Sequence, residues 1–207
     1  MVSAMTTAMT TSPQSATLAR REAVATLLSR RSNLLVVTGL GSPSYDLHAA
    51  GDRDDNYYLW GAMGGAALVA LGLAQAQPAK TVMALTGDGE ALMGLGGLAS
   101  IAIAKPRNLV VVVIDNQHFG ETGMQASHTG LGIDLAKIAA AAGFAEARTL
   151  WTMEEVGKLA ETLNAPAQGP RLYVIKVEPN NPPRSLPPRD AVHVKNRLRA
   201  HLGFPVR

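Results

Sequence analysis

Apolar, largely β-branched runs recur along the chain at residues 34–37, 81–85, 109–114 and 172–177, with a weaker one near 145–150. They lack polar alternation, the mark of strands covered on both faces. Between them, apolar positions return at helical spacing over roughly residues 65–76, 91–104, 134–142 and 152–163. Thr152 is an N-cap candidate, with Glu154 and Glu155 suited to a first turn. Strands alternating with helices of this length predict parallel βαβ units, hence an α/β fold: a parallel sheet with helices on both faces. The Pro-rich "EPNNPPRSLPPRD" reads as an extended arm leading into a last helix at about 190–201. The expected organisation is a flexible tail at 1–15, one folded domain at 16–178, and the arm with its helix at 179–207.

Composition narrows the class. A chain of 207 residues, 47% hydrophobic and 17% charged, builds one sizeable core. Without cysteine it holds no disulfide, thiolate zinc site or iron-sulfur cluster of its own. No apolar run reaches membrane-span length uninterrupted, and the first residues lack the basic and apolar regions of a leader, so no membrane role and a cytoplasmic location are expected. Residues 1–31 carry four Arg against one Glu, and 178–207 carry six Lys or Arg against two acids. The middle of the chain is therefore acidic, and with 4% aromatic residues nucleic acid is not an expected partner.

The chemistry gathers at strand exits, where parallel sheets bind ligands. "TVMALTGDGE" puts Gly87, Asp88 and Gly89 at one exit and a helix start, and "LVVVVIDNQHFG" puts Asp115 and Asn116 at the next. The glycines allow close backbone approach, and free N–H groups at the helix start suit a phosphate. Asp88 would repel that phosphate unless a cation bridged them, and Asn116 offers a further hard oxygen. The stretch thus asks for a diphosphate and Mg2+, held by Asp88, Asn116 and the His118 carbonyl.

"GDG", 25 residues and then "DN" resembles the thiamine diphosphate motif. "LWGAMGGA" at 59–66 resembles the segment that grips the aminopyrimidine ring. "DNQHFGETGMQASHT" at 115–129 resembles the "STGGQPTHT" region of sulfopyruvate and phosphonopyruvate decarboxylases. The likeness runs from about Asn33 to Gly143, and it implies the diphosphate-binding half of a thiamine diphosphate-dependent 2-oxo acid decarboxylase. By that resemblance Asp88, Asn116 and His118 are metal ligands, and the N–H groups of Gly89 and Glu90 hold the diphosphate. Gly87, Phe119 and Gly120 complete that end. Gly61 accepts the 4'-amino proton from a segment shared with Ala62, and Met63 props the bent cofactor. Met63 and His128 are the candidates nearest catalysis. There are two departures: Glu90 stands in place of Ser, and Asp115 in place of the first Asn.

Other residues have plainer readings. Glu90 is expected as a solvated or capping residue with its pKa held down by the helix start. The acids of "GDRDD" at 51–55 are expected in a solvated turn, and Pro43 is expected to interrupt a helix start in "GLGSPS". His48 is open between a loop position and a substrate-facing one. Gln125 and His128 are open between the site's mouth and a structural hydrogen bond. Neither Arg53 nor Lys105 is placed to recognise a sulfonate or phosphonate. Relatives activate the pyrimidine with a Glu from a different domain, and no segment here resembles that domain. The resemblance therefore implies a hetero-oligomer: a second subunit supplies that domain and its activating Glu, and a small 2-oxo acid yields an aldehyde and CO2. A carboligase or lyase subunit is the nearest alternative, with an oxidoreductase subunit behind it for want of cluster ligands. A non-catalytic cofactor-binding regulatory module is the alternative from another class.

Overall fold

A computed structural model of the chain describes residues 17–165 and 167–206. The expected tail at 1–15 lies outside them. The chain runs α1 (Arg20–Leu28), β1 (Leu34–Thr38), α2 (Ser42–Ala49), β2 (Asn56–Tyr58), α3 (Ala66–Ala76) and β3 (Thr81–Gly87). It continues through α4 (Asp88–Met93), α5 (Gly97–Ala104), β4 (Leu109–Asp115), and a small ribbon of β5 (His118–Phe119) and β6 (Gln125–Ala126). A 3-10 turn (His128–Leu131), α6 (Leu135–Ala142), β7 (Glu146–Leu150), α7 (Met153–Thr162), β8 (Arg171–Lys176) and α8 (Ala191–His201) follow.

The main sheet is wholly parallel, in the order β2-β1-β3-β4-β8-β7. Period-two geometry splits β4 between two cores: Val110, Val112 and Ile114 face one, and Leu109, Val111 and Val113 the other. α1, α2 and α7 contribute to the first core; α3, α5 and α6 contribute to the second. Helices therefore cover both faces, and every residue of β4 is buried. Chain order reverses about β1, because β2 lies on one side of it and β3 on the other. A crevice opens at such a reversal, beyond the carboxyl ends of the strands.

Three local expectations differ. The stretch 91–104 is not one helix: α4 ends and α5 begins around Gly94 to Gly96. A Cβ on Gly94 would sit 2.3 Å from the Gly64 carbonyl oxygen, so a backbone crossing sets the break. α1 and α2 are additional helices. In α2 Pro43 occupies the first turn, where a missing N–H costs nothing, so it starts this helix rather than interrupting it.

Candidate functional site

Loops from three neighbouring strands, β1, β3 and β4, enclose a cavity of about 310 Å³. Gly41 to Pro43 come from the β1 exit, Gly87 to Glu90 from the β3 exit, and Asn116 with His118 to Thr122 from the β4 exit. Met63 and Trp60 close one side, and Arg20 and Tyr45 another. Of the residues expected at the site, Met63, Gly87, Asp88, Gly89, Glu90, Asn116, His118, Phe119 and Gly120 meet on this one surface. Gly61 and Ala62 are exposed and lie outside the lining. His128 faces an adjoining apolar groove with Met63, Gly89 and Phe119, its ring edge-on to Phe119 at 6.3 Å. Gln125 is exposed and bonded to Thr122.

Asp88 follows β3 directly and is 3% exposed. Its Oδ2 accepts hydrogen bonds from the Ser127 hydroxyl and, at 3.3 Å, from Thr129. The one Thr129 hydroxyl proton is shared with Asp115, which lies nearer at 2.8 Å, and Asp115 pairs with Lys176 at 2.6 Å. Asp115 thus has its own cation, whereas Asp88 has no Lys or Arg ion-pair partner among the described residues. Burial, and then the charge of Asp115, push the Asp88 carboxyl up to about 6, against the stabilising hydroxyl bonds. A buried carboxylate so placed is short of positive charge. No cluster of three or more His, Asp or Glu completes a metal site among the described residues. Two side-chain oxygens, from Asp88 and Asn116, fit a hard divalent cation whose remaining ligands come with an anionic ligand and water.

Glu90 departs most from expectation. It is 3% exposed rather than solvated, and burial raises its pKa although it sits in the first turn of α4. The Thr86 hydroxyl donates to Oε2 at 2.7 Å. Gly64 and Ala66 line one small pocket with Thr86 and Glu90, where their backbone N–H groups favour the carboxylate's charge without closing an aligned hydrogen bond to it. Gly39 lies on the other side, where a Cβ would fall 1.7 Å from Oε1.

The loop carrying Met63 is held by backbone packing. Gly64 has φ +87°, left-handed backbone that favours glycine, and its carbonyl abuts Gly94 at the end of α4. Met63, 42% exposed, stands in the wall shared by the cavity and the apolar groove.

The acids at 51–55 form a solvated turn only in part: Asp54 is exposed, whereas Asp55 is drawn inside. Asp55 is buried and paired with Arg31 at 2.6 Å and Arg53 at 2.9 Å. Asp52 receives Arg197 of α8 at 2.6 Å. His48 has a structural role: its Nδ1 is 2.7 Å from the Ser185 hydroxyl, which ties α2 to the Pro-rich arm. That arm is further pinned by Trp60, which donates to the Pro188 carbonyl at 2.8 Å, and by Arg21, which donates to Pro183. Sequence reasoning missed Arg20, Gly41, Ser42 and Tyr45 as cavity residues. A Gly-Ser-Pro helix start was a legible signal for the loop; Arg20, buried against Asp46 at 2.7 Å, left none.

A parallel sheet with a switch-point cavity, a buried carboxylate without an ion-pair partner among the described residues, and glycines at a helix start have the pattern of a ligand-binding α/β domain. The chain belongs to the thiamine pyrophosphate enzyme family: the model of its C-terminal TPP binding domain matches residues 45–177. Sulfopyruvate decarboxylase subunit beta of Methanocaldococcus jannaschii is 40% identical over 124 residues, 60% of this chain and 65% of that subunit, just under two thirds of its length. The subunit of the same name from Methanothermobacter thermautotrophicus is 34% identical over 168 residues, 79% of this chain and 84% of its own. Among solved structures, the thiamine diphosphate-dependent 4-hydroxybenzoylformate decarboxylase of Rhodococcus jostii RHA1 superposes with a TM-score of 0.64 at 20% identity, over 86% of this chain and 35% of that one. That likeness bears on the fold alone.

Proposed function

We propose that the chain is the diphosphate- and Mg2+-binding subunit of a two-chain thiamine diphosphate-dependent decarboxylase, converting a small 2-oxo acid to an aldehyde and CO2 in the cytoplasm. The observation that carries this is the Asp88 carboxylate, buried without a cationic partner among the described residues, on a cavity wall it shares with Asn116 and His118. In this reading Asp88, Asn116 and the His118 carbonyl hold the metal, and the N–H groups of Gly89 and Glu90 bind the diphosphate. Bound there, the cofactor supplies the electron sink for loss of CO2. Met63 orients it from the wall, and the apolar lining excludes water from the reacting end. No helix among the described residues is long and apolar enough to cross a membrane.

A second subunit is supported by two observations. Relatives that match over most of their length bear the name subunit beta. The wall at Met63 also continues into a groove lined by Leu92, Met93, Leu95 and Ile133, apolar residues that suit burial by a partner. The test is calorimetry of thiamine diphosphate with and without Mg2+, followed by CO2 release from a panel of 2-oxo acids once the partner is added. Cofactor binding indifferent to Mg2+ removes the site assignment, and a partnered complex inert to the whole panel removes the activity.

A further inference from the structure

We propose that Glu90 is a positioning residue, whose carboxylate clamps the start of α4 to Thr86 and to the turn at 64–66 and so sets Met63 against the cavity. The role rests on the reading of this cavity as the cofactor site. Asp88 and Glu90 share one helical turn but point apart: Asp88 toward Ser127 and Thr129, Glu90 back toward Thr86 and Gly39. The second carboxylate therefore couples the turn that carries the candidate metal ligand to the segment that carries the candidate prop.

Energetics argue against simple filler. An apolar side chain of similar size would occupy this volume without the cost of burying a charge. The carboxylate is held by the Thr86 hydroxyl and shares one small pocket with Gly64 and Ala66, residues that belong to β3 and to the entry of α3. It therefore selects one relative placement of those segments. Gly39 makes the room, since any side chain there would occupy the carboxylate's own volume.

Amide hydrogen exchange on the full chain without cofactor tests the clamp directly. Glu90→Met keeps the volume and removes the acceptors. It should speed exchange at Gly64 and Ala66 about tenfold, while Val111 and Val112 in the central strand stay protected. Glu90→Gln keeps an acceptor for those amides and should return them to within about threefold of wild type. In the partnered complex, Glu90→Met should lower kcat about tenfold while cofactor affinity moves less than about threefold, with Glu90→Gln recovering most of kcat. Unchanged exchange at Gly64 and Ala66 in Glu90→Met overturns the proposal, as does Glu90→Gln exchanging as fast as Glu90→Met. Exchange needs neither cofactor nor turnover, so an inactive wild-type complex counts against the decarboxylase reading and leaves the clamp standing.

Discussion

A Cβ on Gly39 would lie 1.7 Å from Oε1 of Glu90, so the exit of β1 and the first turn of α4 compete for one volume. Gly39 has no positive φ, and its requirement is one of space rather than backbone conformation. Gly39→Ala should therefore destabilise the chain by about 2 kcal/mol or more in denaturant unfolding. Adding Glu90→Ala should recover part of the loss, because the second change removes the atoms the first collides with. Strictly additive losses would show that the two residues do not share that space.

Asp88 sets stability against binding. Its carboxylate is buried beside Asp115 with no Lys or Arg partner among the described residues, an arrangement that costs the free chain energy. Asp88→Asn keeps the shape and removes the charge, so the ligand-free variant should unfold a few degrees higher than wild type. The same variant should lose the stabilisation that Mg2+ and thiamine diphosphate together confer on wild type. A thermal scan with and without both ligands reads the two effects at once. A lower Tm without ligands, or an undiminished ligand-induced rise, contradicts this account.

The sheet and most helices were legible because their signal is local. The run at 109–114 has no polar interruption, and Thr152 does cap its helix with Glu154 and Glu155 in the first turn, the structure adding a capping box between Thr152 and Glu155. The GDG and DN segments were legible as strand exits, and the structure brings them to one cavity. What escaped depends on partners distant in sequence. Asp55 reads as a turn acid until Arg31 arrives beside it, and Glu90 reads as a solvated first-turn acid until Gly39 and Thr86 close over it. Arg20 counts in the sequence only as one of four Arg in residues 1–31, yet Asp46 draws it into the cavity wall. Buried charge is invisible to a hydrophobicity pattern, because the pattern places every charged residue outside.

Asp55 gives the fold an acid-sensitive joint. Burial opposes its ionisation, but the hydrogen bond from Arg53 and the charge of Arg31 outweigh that and hold its carboxyl below the usual range. A depressed folded pKa means the stabilisation is fully present above the unfolded value, about 3.9, and is lost as pH falls through the lower folded value. Asp55→Asn should thus cost about 3 kcal/mol at pH 7, where it strands the buried Arg31, whose own pKa burial has pushed down to about 10. The difference from wild type should shrink toward pH 3. Urea unfolding at both pH values measures it, and a gap that widens in acid contradicts the assignment.

Met63 is predicted to matter for turnover more than for anchoring. It stands in the wall between cavity and groove, while the acidic and amide oxygens lie at the strand exits. Met63→Ala in the partnered complex should lower kcat about tenfold or more and shift cofactor affinity by less than about threefold. Equal losses in both would mean that it contributes binding rather than geometry.

The last prediction is that the chain does not turn over 2-oxo acids until a second polypeptide is added. The acids on the cavity wall are Asp88, Glu90 and Glu121. Asp88 is the candidate metal ligand, the Glu90 carboxylate is turned back onto Thr86, and Glu121 pairs with Arg184 at 2.7 Å. Among the described residues lining the cavity, no carboxyl group is therefore left to donate a hydrogen bond to the pyrimidine end of a bound cofactor. In the proposed reading such a Glu comes from the second subunit, for which the apolar groove beside Met63 is the candidate surface. Supplying a proton-transfer group rather than extra packing should raise CO2 release by about a hundredfold or more. The discriminating measurement is deuterium exchange at the reactive carbon of bound thiamine diphosphate, with and without the partner. Slow exchange in the isolated chain that accelerates on mixing supports the shared site. Fast exchange in a partner-free preparation would overturn it and turn attention to Glu90, the one wall carboxylate with a buried oxygen that lacks an aligned donor.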